Sequence, residues 1–225
     1  MSLPRIVAQL AGLYGPLPEP FTTEPFELVL WESIAYLADD ERRAQALEQL
    51  RSTVGTKPEQ LLAAARDDLI SVAEHGILAD QTVSKLRAAA EIAIGEFGGD
   101  LGEVLARPAG AAKKALRRFP GIGEPGAEKI LLYCRKHPSL APESNGLRVL
   151  VRFGLLPSGR SYSATYTAAR EVGREQLGDD FDRLLAARHY LRVHGQQLCR
   201  RSAPRCDACV LRNDCAFGQS VSRVD

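Results

Sequence analysis

Strand patterns are almost missing from this chain. Runs alternating β-branched or aromatic residues with polar ones do not occur over useful lengths, and this points to an all-α protein. Long apolar runs are missing too. The best candidate, "FELVLWESIAYLA", carries Glu27 and Glu32, so no segment is fit to span a bilayer. The N-terminal stretch "MSLPRIVAQLAGLYG" lacks the apolar core of a signal peptide, and a cytoplasmic location is expected. Neither an internal repeat nor a low-complexity segment is evident. A net charge of +1 gives no hint of a partner until the chain is divided. Residues 1–110 carry 9 Lys+Arg against 17 Asp+Glu, and residues 111–225 carry 20 against 11. Such asymmetry reads as one half facing a polyanion, or as solvated helix faces unevenly placed.

What the chain does have is helical spacing. Its 225 residues, 45% of them apolar, suffice for one large domain or two small ones. Apolar residues recur three and four apart in segments 25–39, 41–55, 57–76, 82–99, 101–119 and 126–137, then in 144–154, 161–178 and 180–199. Gly or Pro closes most of them. The Pro-rich "YGPLPEPFTTEP" reads as a linker into the first long helix.

Four of the five cysteines crowd the C-terminal region as Cys199-x6-Cys206-x2-Cys209-x5-Cys215. Disulfides are not expected in a cytosolic chain. Four thiolates at this spacing suit a tetrahedral metal or an iron–sulfur cube, and the spacing alone leaves zinc and [4Fe–4S] both open. Cys134, apart from the rest, reads as a small buried apolar residue.

"FPGIGEPGAEK", Phe119 to Lys129, places bare backbone directly before a helix. Glycines let a backbone approach a ligand, and the free N–H groups of a helix N-terminus favour an anion. A DNA phosphate fits, held without reading sequence; so does a plain helix–helix turn. "KKALRR", Lys113 to Arg118, adds positive charge just upstream, or a solvated helix face.

Taken together, "FPGIGEPGA", the cysteine spacing with His194-Gly195 before it, "PFELVLWESIAYLADD" and "ESNGLRVLVRFG" resemble the endonuclease III-like helix-hairpin-helix DNA glycosylase superfamily over residues 22–217. The resemblance implies a two-lobed all-α fold: a six-helix barrel over 27–137 containing the helix-hairpin-helix, and a cluster domain from 1–26 with 138–225. It implies a [4Fe–4S] cluster on Cys199, Cys206, Cys209 and Cys215, and a monomer acting in the cytoplasm on double-stranded nucleoid DNA. Phosphate contact is implied at Gly121, Ile122, Gly123 and Gly126, with the flipped base in the cleft between the lobes. Arg200, Arg201, Arg205 and Arg212, between the cysteines, would also suit phosphates.

The family's catalytic aspartate lies five residues before an Arg-Val pair. Counting back from Arg148-Val149 gives Glu143, one methylene longer, with Asn145 expected to help cap and orient the turn. Glu32 falls where relatives carry a pocket glutamate able to protonate or hydrogen-bond the base. Trp31 and Tyr36 are candidates for stacking on a base or for the core. Leu37 stands in place of a common polar wedge. Bifunctional relatives have a nucleophilic lysine two residues after the hairpin's second glycine, and here that position is Pro125. Lys129, one turn on, reads as a surface lysine. No further lesion-reading domain follows Cys215, which weighs against a two-domain mismatch adenine glycosylase. The expectation is a monofunctional DNA N-glycosylase. The departures at Pro125, Glu143 and Leu37 keep two alternatives open: a DNA lesion or abasic-site binder with little catalysis, and a glycosylase with residual lyase activity.

Overall fold

The computed structural model describes residues 1–35 and 38–221. Among them every regular element is helical. The α-helices are α1 (Leu3–Tyr14), α2 (Pro25–Trp31), α3 (Asp40–Thr53), α4 (Pro58–Ala63), α5 (Arg66–Ala73), α6 (Ala79–Phe97), α7 (Gly102–Leu105), α8 (Ala109–Leu116), α9 (Glu124–Tyr133), α10 (Ser144–Phe153), α11 (Tyr162–Leu177), α12 (Phe181–Gln197) and α13 (Ala216–Val221). Single 3-10 turns at Cys206–Ala208 and Arg212–Asp214 separate the last cysteines.

The chain divides into two compact units, Pro20–Lys136 and the pair Met1–Glu19 with His137–Asp225. The first crossing thus falls after Glu19, rather than between 26 and 27. In the Pro20–Lys136 unit, Leu28, Leu30, Ile34, Leu47, Leu50, Leu61, Leu69, Leu86 and Phe119 are fully buried. In the other unit α10 and α1 pack on α12, and α1 buries Leu3, Ile6 and Leu10. Each such side chain contributes roughly 1.5–3 kcal/mol on burial.

Helix α1 is absent from the sequence reading, although Leu3, Ile6 and Leu10 have helical spacing. It starts after Ser2 with a proline in its first turn and ends at Gly15, φ +81°. The expected helix over 25–39 stops at Trp31. The amides of Glu32 and Ser33 turn back on Val29 and Leu30 at i→i−3, tightening the exit. Contacts of Glu32 and Ser33 with the later hairpin override the helical pattern. The expected helix over 57–76 breaks into α4 and α5 at an extended Ala64–Ala65, where the Arg87 guanidinium takes the Ala64 carbonyl at 2.9 Å. The segment 101–119 breaks before Pro108, which cannot continue a helix.

Candidate functional site

The turn between α8 and α9 is built by its glycines. Gly121 adopts φ +79°, a left-handed conformation that costs a side-chain-bearing residue energy. Gly123 is extended and precedes α9, which has Pro125 in its first turn. Ile122 points inward, 5% exposed, and its amide donates to the Phe119 carbonyl at 3.2 Å. The Ser33 hydroxyl donates to the Pro120 carbonyl at 3.4 Å, tying the turn to the chain just after α2. Exposed Gly121 and Gly123 thus lie beside the N-terminus of a ten-residue helix, with Ile122 as the anchor beneath. Within this turn the Ile122 side chain is a packing residue.

Glu32 follows the last residue of α2 and forms an ion pair with Lys129 of α9. Their side chains are 18% and 12% exposed, so Lys129 is not the surface lysine expected. Gly126, one turn earlier on α9, offers only ordinary contact: a Cβ there would sit 3.5 Å from Glu32 Oε2 and 3.4 Å from Ile122 Cγ2. The pair therefore lies against the hairpin itself.

Glu143 is the N-cap of α10. Its Oε1 accepts from the Asn145 amide at 3.2 Å and its Oε2 from Asn145 Nδ2 at 3.1 Å. Capping is thus done by the glutamate, with Asn145 as donor. Two residues upstream, buried Ala141 has φ +43°, a strained backbone held where it turns into the cap. Arg148 binds Asn145 Oδ1 and the Gly195 carbonyl, each at 2.7 Å, and the Cys199 carbonyl at 2.8 Å. Ser144, Asn145, Arg148, Gly195, Gln196, Arg200 and Arg201 line an open hollow of about 450 Å³ with three guanidinium groups and no acid. Tyr162, at the start of α11, lies close enough to Glu143 that burial and the carboxylate's charge both push its hydroxyl pKa up.

Cys199, Cys206, Cys209 and Cys215 line one cavity, with Val149, Phe153, Leu198, Leu211 and Phe217 as its apolar wall. Burial and the neighbouring sulfurs push Cys206 and Cys209 up as free thiols. Among the described residues no three His, Cys, Asp or Glu side chains converge on a point small enough for one ion. Four soft sulfur donors around an apolar cavity are the ligand type that both zinc and an iron–sulfur cluster accept. Arg152 staples the loop: its guanidinium binds the carbonyls of Arg200 (2.5 Å) and Arg201 (3.0 Å) and lies 4.6 Å from the Phe217 ring centre. The motif His194-Gly195 acquires a physical reason. A Cβ at Gly195 would sit 2.6 Å from the Asn145 carbonyl oxygen, so only glycine lets α12 meet α10 there.

No protein-family model matches the chain. Among curated proteins it is 23% identical over 195 residues to endonuclease III of Thermotoga maritima, covering 87% of this chain and 84% of that one. It is 23% identical over 209 residues to endonuclease III of Haemophilus influenzae, covering 91% of each. Among solved structures it matches a non-covalent endonuclease III–DNA complex with TM-score 0.78 at 16% identity, over 99% of both chains. The chain has the endonuclease III-like, helix-hairpin-helix fold. A thermostable thymine-DNA glycosylase shares the fold as well, with TM-score 0.76 at 15% identity over 97% of both chains.

Several residues of this endonuclease III-like chain fall elsewhere than the sequence placed them. Trp31 is 7% exposed and stacked on Phe21 at 3.8 Å, so its ring belongs to the core rather than to a base. Tyr36 and Leu37 lie outside the described residues. Lys113 pairs with Glu128 at 3.0 Å and Arg118, itself exposed, with Glu96 at 2.9 Å; Lys114 and Arg117 are the other exposed cations of "KKALRR". Arg212 pairs with Asp207, within the cysteine loop. Sequence reasoning missed Lys129 as Glu32's partner, Arg148 as the link from Asn145 to Cys199, and Tyr162. For Lys129 a signal existed: an amine one turn after Pro125, on the helix facing a buried acid.

Proposed function

We propose that this protein is a monofunctional DNA N-glycosylase of base-excision repair, active as a monomer on double-stranded DNA. Exposed Gly121 and Gly123, the α9 N-terminus and Gly126 would take a phosphate without reading sequence. Lys114, Arg117 and the arginines of the cysteine loop would add to this grip. Cys199, Cys206, Cys209 and Cys215 would hold a [4Fe–4S] cluster. When bound, that group supplies four iron–thiolate bonds closing the loop and a one-electron centre.

The observation that carries the reading is the Glu143 carboxylate, fixed at the mouth of α10 by Asn145, which Arg148 orients in turn. Hydrolysis of an N-glycosidic bond builds positive charge on the sugar. A carboxylate fixed in place stabilises that charge and orients the attacking water. Glu32, paired with Lys129, would hydrogen-bond or protonate the flipped base. Pro125 offers no amine for a Schiff base, and the Lys129 amine is held in its ion pair with Glu32. Bases would therefore leave without strand cleavage.

A second reading is a lesion binder with little catalysis. One observation favours it: both oxygens of Glu143 are engaged by Asn145, so the longer arm folds back onto its own helix. Incubation with a panel of lesion-bearing duplexes, followed by alkali, decides between the two. The glycosylase reading expects alkali-dependent breaks, abolished in Glu143→Gln while DNA binding persists. Binding without release of any base would leave the second reading standing.

A further inference from the structure

Buried His194, 2% exposed, bridges helix α1 and the cysteine loop. Its Nδ1 lies 3.0 Å from the Tyr14 hydroxyl and its Nε2 3.4 Å from Cys209 Sγ. Its backbone carbonyl accepts the Cys199 amide at 2.8 Å, so one residue touches two of the four cysteines. The imidazole is out of reach of solvent, so its hydrogen bonds are confined to these partners.

The chemistry of a ligating thiolate fixes the proton positions. A thiolate only accepts, so Nε2 must carry the hydrogen, Nδ1 must be bare, and Tyr14 must donate to it. The other tautomer would set a nitrogen lone pair against the sulfur and an N–H against the tyrosine oxygen. Tyr14, far from the cysteines in sequence, thereby selects the tautomer that serves Cys209.

We propose that Tyr14 and His194 form a hydrogen-bond relay onto Cys209 that sets the reduction potential of the cluster. The inference rests on the cluster reading above and goes beyond it. An N–H···S bond draws charge off the ligand and stabilises the more negative, reduced state, so it raises the potential. Loss of the tyrosine hydroxyl leaves Nδ1 buried without its donor and releases the tautomer, weakening the bond to sulfur.

Iron and sulfide content is measured first, then the potential by voltammetry of the full-length holoprotein. Tyr14→Phe with unchanged iron content is expected to shift the reduced-to-oxidised ratio at a fixed potential about tenfold toward oxidised, equivalent to about 59 mV for one electron. His194→Gln, which keeps a side-chain N–H, should lie nearer the wild type than His194→Leu. An unchanged potential in iron-replete Tyr14→Phe overturns the relay. Should that variant fail to load iron, the wild type carrying ¹⁵N-histidine is examined with its cluster in a paramagnetic state. Weak hyperfine coupling to a histidine nitrogen supports the bond to sulfur, and none overturns it. Wild-type protein without iron and sulfide would instead sink the cluster reading, and the relay with it.

Discussion

Glu27 and Glu32 stand five residues apart in one apolar segment and have opposite fates. Glu27 is saturated: Arg51 grips both oxygens at 3.0 and 2.6 Å, while Thr22 and Thr56 donate at 2.5 and 2.9 Å. The Arg51 hydrogen bonds hold its carboxyl down to about 2, below the ordinary 4.5. A depressed acid stabilises the fold above its unfolded value and loses that contribution as pH falls. Between about pH 4.5 and pH 2 the wild type should lose roughly 2–3 kcal/mol that Glu27→Gln never had, so their denaturation midpoints should converge in acid. Glu32 has Lys129 as its charged partner, on the helix that the hairpin launches. Removing one member of a largely buried pair strands the other, at roughly 3 kcal/mol. Lys129→Met should therefore lower the melting temperature more than Lys114→Met does. Borohydride should trap little covalent DNA complex with either variant or with the wild type. Efficient trapping by the wild type, lost in Lys129→Met, would show that the lysine acts as the amine after all.

At the scale of elements, the hairpin and the α10–α12 crossing both depend on a missing Cβ. Gly121→Ala forces an alanine to φ +79°, costing about 1 kcal/mol, and should weaken duplex binding on every sequence alike. Gly195→Ala drives a methyl into the Asn145 carbonyl and should cost roughly 1–3 kcal/mol, whereas Gly110→Ala, with open space around it, should be neutral or stabilising. Thermal melts of the three variants check this order. These two glycines show how much was legible. The hairpin and the cysteine set could be read because short-range spacing encodes them. The all-helical class could be read because periodicity does. The break at Ala64–Ala65 could not, because alanine is a good helix former and only a distant arginine marks the site. The same holds for Trp31, whose neighbour Phe21 claims its ring, and for Arg148, whose partners lie up to 51 residues away.

On the scale of the whole molecule, charge follows the units less sharply than it follows sequence halves. Pro20–Lys136 carries 15 Lys+Arg against 18 Asp+Glu, and the rest of the chain 14 against 10. Affinity for DNA should then come from local clusters, namely Lys114 with Arg117 and the arginines near the cysteines. Binding should fall steeply between 50 and 200 mM salt as phosphate contacts release counterions. Lys114→Gln with Arg117→Gln should flatten the salt slope without changing which base leaves. A slope unaffected by the double change would place the phosphate grip elsewhere.

Helix α10, capped by Glu143, carries Arg148 and Arg152, whose guanidiniums hold the backbone of Cys199, Arg200 and Arg201. A nascent chain leaving the ribosome presents Glu143 and Asn145 together, but long before Gly195 and Cys199, whose carbonyls hold Arg148, have been made. If the cysteine loop closes only once iron and sulfide arrive, the carboxylate gains its final support at the last step of biogenesis.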